Sequence, residues 1–171
     1  VYYGLRMVKK PYVLLMDGDG TYDPYYIKEM LSKAINEDLD EVLGARTWGR
    51  ENIPLINRFG NRILTSLFNI MFGTNLSDVL TGMYLLRTSI AKAIIPSASG
   101  FSVEVDIVSQ VASMGKIGEV PVKYRRRIGD PKLKWIHGVG IGIDMVKLMT
   151  RFNPLLILAL LASLLIIPGI I

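Results

Sequence analysis

The sequence predicts an α/β fold, and three observations carry that prediction. Short apolar runs alternate with longer amphipathic stretches, turn-rich segments separate the two, and the first apolar run ends abruptly in carboxylates. The opening residues read as helix. "PYVLLMD" (11–17) is then a continuous apolar run closed by a charge, the pattern of a strand buried on both faces of a parallel sheet. Pro24 opens a helix over 24–37, with Tyr26, Met30 and Ile35 near one face. "DEVLGAR" (40–46) is a second strand and "TWGREN" a loop. Residues 54–72 form a long amphipathic helix whose apolar positions are interrupted by Arg58, Asn61 and Arg62. "GTNLSDVLTG" is a turn-rich loop into a third strand, "MYLLR". "FSVEVDIVSQVASMG" is helical and closes on Gly115, and "GEVPVKYR" is a fourth strand.

In open sheets of this kind ligands gather at the carboxyl ends of strands. Asp17, Asp19 and Asp23 crowd one such end and Arg46 stands at another. Like charges at that spacing repel, so something offsets the cost, and a bound cation is the simplest candidate.

Composition narrows the chemistry. The 171 residues suffice for one domain with a core, half of them are hydrophobic, and the net charge is +5. The absence of cysteine excludes disulfides and thiolate metal sites, and a single histidine, His137, excludes a His-rich zinc site. The chain begins at Val1 with no signal-peptide pattern, and it is expected to be cut from something longer.

At the other end, "NPLLILALLASLLIIPGII" carries no charge. Residues 154–171 would span about 27 Å as a helix, close to a bilayer's hydrocarbon core, so a transmembrane segment is expected at 153–171; a buried core helix is the alternative. Residues 135–152, which contain "GVGIG", are expected to form an interfacial amphipathic helix, with an ordinary packing helix as the plainer reading. That "GVGIG" follows no strand and has the wrong spacing for a dinucleotide fingerprint.

The basic flank "VKYRRRIGDPKLK" places this side on the cytoplasmic face of a membrane by the positive-inside rule. Its cations suit anionic membrane lipids or a phosphorylated ligand. No aromatic-interleaved basic surface accompanies them, so no nucleic-acid partner is expected.

Asp17 and Asp19 are two residues apart on the turn leaving a strand, where both can reach one hard cation. Mg2+ or Mn2+ held by one or two carboxylates completes its shell with water and substrate phosphates, as a nucleotide-diphosphate site requires. A solvated turn is the duller alternative. A calcium loop fits poorly, because its sixth position, normally glycine, is Tyr22 and no helix precedes it.

Taken in order, "LLMDGDGTYDP", "LGAR", the Arg58–Asn61 helix, "SDVLTGMYLLR", "FSVEVDI" and "GEVPVKYRRRIGDPKL" resemble a family 2 glycosyltransferase, closest to the dolichyl-phosphate mannose synthase branch and related polyprenyl-phosphate glycosyltransferases. The resemblance implies a GT-A fold, of which residues 1–134 would be the C-terminal part. Asp17 and Asp19 match its D-x-D, which holds the metal and the donor diphosphate. Thr21 stands where mannose synthases often carry a metal-binding glutamine. Arg46 matches the arginine of a G-S-R motif, and Arg58 a second phosphate-binding arginine. Asp78 and Gly82 match the D-x-x-x-G segment beneath the acceptor site. "RRRIGDPKL" matches the acceptor loop, with Lys132 retained, Pro131 in place of a serine, and either Arg126 or Arg127 in the arginine role.

The implied reaction is inverting transfer of a hexose from GDP-mannose or a UDP-sugar to dolichyl or another polyprenyl phosphate. The catalytic set would be Asp19, Asp78, Arg126 and Arg127. Transfer to a hydroxyl acceptor, which needs a base, and a non-catalytic membrane-anchored binding module are the other classes. Plainer roles stay open: Asp78 as a loop brace, Arg58 and Arg62 as surface residues, Glu119 as a structural ion-pair partner, and one of Glu104 and Asp106 in solvent.

Overall fold

A computed structural model describes residues 1–96, 103–129, 140, 143, 144, 147 and 151 of the chain. Among these, four apolar runs form one sheet of strands β1 (Tyr12–Met16), β2 (Glu41–Trp48), β3 (Met83–Arg87) and β4 (Ile117–Lys123), ordered β1-β3-β2-β4. β3 is antiparallel to both neighbours, whereas β2 and β4 are parallel. β1, β2 and β4 therefore point one way and β3 the other. The sheet is mixed rather than parallel, because a continuous apolar run reports burial and not direction. β1 is only partly buried and pairs with β3 alone among the described residues.

The helices are α1 (Tyr2–Met7), α2 (Ile27–Asn36), α3 (Leu55–Phe72), α4 (Thr88–Ala93) and α5 (Val103–Met114). Pro24 opens a 3-10 turn, Pro24–Tyr26, capped by the Asp23 carboxylate, which accepts from Tyr25 N at 3.0 Å. α4 was not expected, since six residues are too few to display a period.

Alternation along the central strands divides the core. Leu43, Tyr84 and Leu86 face Phe68 and Met71 of α3 and Ile107, Val108 and Val111 of α5. Val42, Met83, Leu85, Val120 and Val122 face Met30 and Ala34 of α2. Helices thus cover both faces of the sheet, the layering expected of an α/β fold.

The expected transmembrane helix, the membrane location and the membrane-lipid partnership require correction. Among the described residues no helix is long and apolar enough to cross a membrane. The longest, α3, has 18 residues but carries Arg58 and Arg62. Segment 153–171, on which the expectation rested, lies outside the described residues, as do most of 135–152 and Lys132.

One core residue breaks the apolar pattern. Glu41 opens β2 on the same face as Leu43, is 1% exposed, and its Oε2 has no hydrogen-bond partner. Burial pushes its carboxyl up to about 8. In the unfolded chain it ionises near its ordinary value, so between about pH 4.5 and 8 the folded state holds the extra proton and stability falls as pH rises. Glu41→Met is expected to abolish this fall, gaining a few kcal/mol over the native protein at pH 8 and much less at pH 4.5. Denaturant midpoints measured across that range check it.

Candidate functional site

Because β1, β2 and β4 end where β3 begins, four separate stretches of chain meet at one edge of the sheet. Asp17 leaves β1 there, and its backbone N donates to Gly82 O at 2.9 Å, continuing the β1–β3 ladder by one step. The Asp17 carboxylate lies over Gly82 so closely that a Cβ at that position would sit 2.1 Å from Oδ2. Glycine leaves room here for the close approach of a functional group. An alanine would push the carboxylate aside.

Tyr22 fixes the same place from the other side. Its ring is buried and its hydroxyl accepts from Gly82 N at 2.8 Å. Thr81 Oγ1 lies 3.2 Å from that hydroxyl and donates to Gly44 O of β2 at 2.6 Å. Burial raises the Tyr22 phenol to about 12, so it remains a neutral hydroxyl. Tyr22 was read from sequence only as a residue unsuited to a calcium loop. A tyrosine between two aspartates in a polar turn has little reason to be exposed, and that was the available signal.

Arg46, at the end of β2, forms a bidentate ion pair with Asp78: Nε to Oδ2 at 2.6 Å and Nη2 to Oδ1 at 2.7 Å. Arg46 N also donates to Oδ2 at 3.1 Å, and Nη2 to Leu80 O at 2.7 Å. With its amide oriented to satisfy both ends, Asn61 of α3 accepts from Arg46 Nη2 at 3.1 Å. The pair is largely buried. Burial weighs against the guanidinium's charge, but Asp78 outweighs it and holds the pKa above its ordinary value. Two residues singled out separately in the sequence are thus bonded to each other, and two of the three guanidinium nitrogens are committed to the protein.

Asp19 is bound from both sides. Thr21 donates to Oδ1 through its backbone N at 3.1 Å and its hydroxyl at 2.6 Å, and Arg127 Nη2 lies 3.0 Å from Oδ2. Arg127, rather than the exposed Arg126, reaches the aspartates. Burial again opposes its charge, but a side-chain hydrogen bond with Tyr124 and the field of Asp19 raise its pKa. Asp23, the third carboxylate of the cluster, pairs with Arg125. Arg58 stands one turn before Asn61 on α3 with its Nε buried and unpartnered, apart from the contacts around the aspartates.

Desolvation, then the neighbouring Asp19, raises the Asp17 pKa against the pull of Arg127 and Arg46. Glu104 of α5 is raised too, first by burial and then by Asp17, which places it in the electrostatic field of the site. Neither Glu104 nor Asp106 is exposed; Asp106 is fully buried and accepts from Gln110 Nε2 at 2.9 Å.

No three His, Cys, Asp or Glu side chains gather into a metal-holding group among the described residues. Two carboxylates that repel each other, open on one side, nevertheless suit an ion that takes its remaining ligands from water and phosphate oxygens. The residues fit Mg2+ or Mn2+ held by Asp17 and Asp19. Thr21, fully buried and donating to Asp19, fixes a ligand's rotamer rather than offering its own oxygen.

A glycosyl transferase family 2 model matches residues 1–95. The chain belongs to that family. Among its relatives, a dolichyl-phosphate hexose transferase of Haloferax volcanii is 35% identical over 142 residues, covering 81% of this chain and 61% of the relative. An undecaprenyl-phosphate mannosyltransferase of Micrococcus luteus is 30% identical over 151 residues, covering 81% and 58%. The chain therefore spans about three-fifths of the length of these two relatives. A glucosyl-3-phosphoglycerate synthase from Mycobacterium tuberculosis, solved with Mn2+, UDP-glucose and phosphoglyceric acid, superposes with a TM-score of 0.63 at 17% identity, covering 88% of this chain and 52% of that one. The shared architecture is the family's GT-A-like mixed α/β fold.

The Arg46–Asp78 pair generates a prediction independent of substrate. Asp78→Ala leaves a buried guanidinium unpaired and is expected to cost about 3–5 kcal/mol. The double variant Arg46→Met/Asp78→Leu is expected to cost markedly less, and chemical denaturation of the three proteins checks both.

Proposed function

We propose that the protein transfers a hexose from a nucleotide-diphosphate sugar, GDP-mannose or a UDP-sugar, to dolichyl or another polyprenyl phosphate. The observation that carries this reading is the paired Asp17 and Asp19 at the carboxyl end of β1, faced by Arg127 from the segment after β4. Relatives named for dolichyl-phosphate hexose and undecaprenyl-phosphate mannose transfer support the acceptor class.

In this reading Asp17 and Asp19 hold Mg2+ or Mn2+ against the donor diphosphate. The ion supplies neutralisation of the diphosphate as it becomes the leaving group. Thr21 keeps Asp19 in its rotamer, while Gly82 and Tyr22 seat Asp17. The acceptor phosphomonoester is already ionised at neutral pH and needs positioning rather than a strong base. Arg127, with Arg126 before it and Lys132 after it in the sequence, supplies cations for it, and Arg46 with Asp78 braces the floor beneath. Arg58 is a further candidate for a phosphate. Attack by the phosphate oxygen at the anomeric carbon inverts it and expels the nucleoside diphosphate.

A second reading rests on Glu104. A carboxyl held up by burial beside Asp17 is suited to accept a proton from a hydroxyl acceptor. The two readings separate on Glu104→Gln, which would spare transfer to a phosphate and abolish transfer to a hydroxyl.

The deciding experiment supplies the intact protein with labelled GDP-mannose, UDP-glucose or UDP-N-acetylglucosamine, polyprenyl phosphate and Mn2+, and counts label in the lipid fraction. One donor is expected to label lipid, and Asp19→Asn or chelation to lower the rate about a hundredfold or more. Folded protein that labels no lipid from any donor overturns the polyprenyl-phosphate reading.

A further inference from the structure

Asp19 spends both carboxylate oxygens on its own chain. Oδ1 accepts twice from Thr21 and Oδ2 pairs with Arg127. A cation that joins Asp19 through Oδ2 would therefore meet the Arg127 guanidinium already there. Thr21 is fully buried and its bonds close the turn itself. The Arg127–Asp19 pair is more accessible, with side chains 29% and 22% exposed, and is the weaker restraint.

Arg127 belongs to a strap rather than to an isolated contact. Leaving β4, the chain turns back across the carboxylate turn: Arg125 N donates to Thr21 O at 2.8 Å and Ile128 N to Asp19 O at 3.2 Å. Arg125 also pairs with Asp23. Ile128 rests on Gly20, where a Cβ would lie 3.0 Å from Cδ1 and where φ is +78°, so glycine serves both conformation and contact. The guanidinium is thus delivered to Asp19 by a backbone held to the turn.

We infer that Arg127 occupies the place of the divalent cation on Asp19 in the metal-free protein, and that metal binding evicts it and makes it available to an arriving phosphate. The inference rests on the proposed reading of Asp17 and Asp19 as metal ligands. Its logic is electrostatic. Two like charges two residues apart on one turn repel, and Arg127 offsets that repulsion until a doubly charged ion replaces it. Once the ion is bound, it repels the guanidinium, whose favoured partner becomes the nearest dianion. The cation needed by one substrate's phosphate is therefore withheld until the site for the other has formed.

The test reads binding, not turnover. Mn2+ is titrated into the intact protein without nucleotide, and free ion is followed by its electron paramagnetic resonance signal. Arg127→Gln is expected to bind Mn2+ about fivefold more tightly than the native protein. Arg126→Gln, which removes the same charge from the exposed neighbour, is expected to change affinity less than about twofold. In the Mn2+-saturated protein Arg127→Gln should weaken inorganic phosphate binding about fivefold, and in the metal-free protein it should have no effect.

Should Arg127→Gln not fold, Arg127→Lys keeps the charge without the planar fork and is expected to tighten Mn2+ about twofold. Unchanged or weaker Mn2+ affinity in the Arg127 variant, with binding still abolished by Asp19→Asn, overturns this inference and leaves the metal-site reading standing. A native protein that binds no Mn2+ even with a nucleoside diphosphate added removes both. A phosphate effect of equal size with and without metal also overturns the inference.

Discussion

The buried ion pair between Arg46 and Asp78 is the constraint from which the rest of the site takes its position. It joins the end of β2 to the loop entering β3, elements 32 residues apart, with three bonds to one carboxylate. That loop delivers Thr81 to Gly44 and Gly82 to Tyr22, and Gly82 is the floor on which Asp17 rests. A pair with both charges withdrawn from water contributes little net stability, because desolvation offsets attraction. What it contributes is registration: the loop is tied to the end of β2 by a pair that would be costly to break. The site is thus held from beneath by groups fully engaged with one another, which leaves the solvent-facing carboxylates and Arg127 to exchange partners.

The two tiers divide the labour of charge. Below, Arg46 and Asp78 are locked together and β2 cannot shift without exposing them. Above, Asp19 and Arg127 form a more accessible pair, and Asp17 carries a pKa raised by its surroundings. Tyr22 links the tiers through a hydroxyl that stays neutral, so the link does not depend on pH in the physiological range.

Much of this was legible from residue order, and the failures have physical causes. The four strands and α2, α3 and α5 follow from apolar runs, periodicity and the positions of Pro24 and Gly115, which act locally. The direction of β3 did not, because Met83–Arg87 looks the same in a parallel or antiparallel neighbourhood. Asp17, Asp19, Arg46 and Asp78 were singled out, but a spacing of 32 residues between the last two says nothing of their pairing. The choice between Arg126 and Arg127 depends on how the strap crosses the turn, which is a property of tertiary structure. Glu41 stayed hidden because an acidic residue at the start of a strand ordinarily faces water. The apolar C-terminal stretch lies outside the described residues, and among the described residues no helix meets the requirements of a membrane span.

The strap also has a consequence for the chain during its synthesis. Asp23 and Arg125 are 102 residues apart, and ribosomes add about 5–20 residues per second, so the acidic turn waits about 5–20 s for its arginines. In that interval neither Arg125 nor Arg127 exists to offset the carboxylates' repulsion. A cation from the surroundings can then reach the turn before Arg125 or Arg127 can, the opposite of the order proposed for the finished protein.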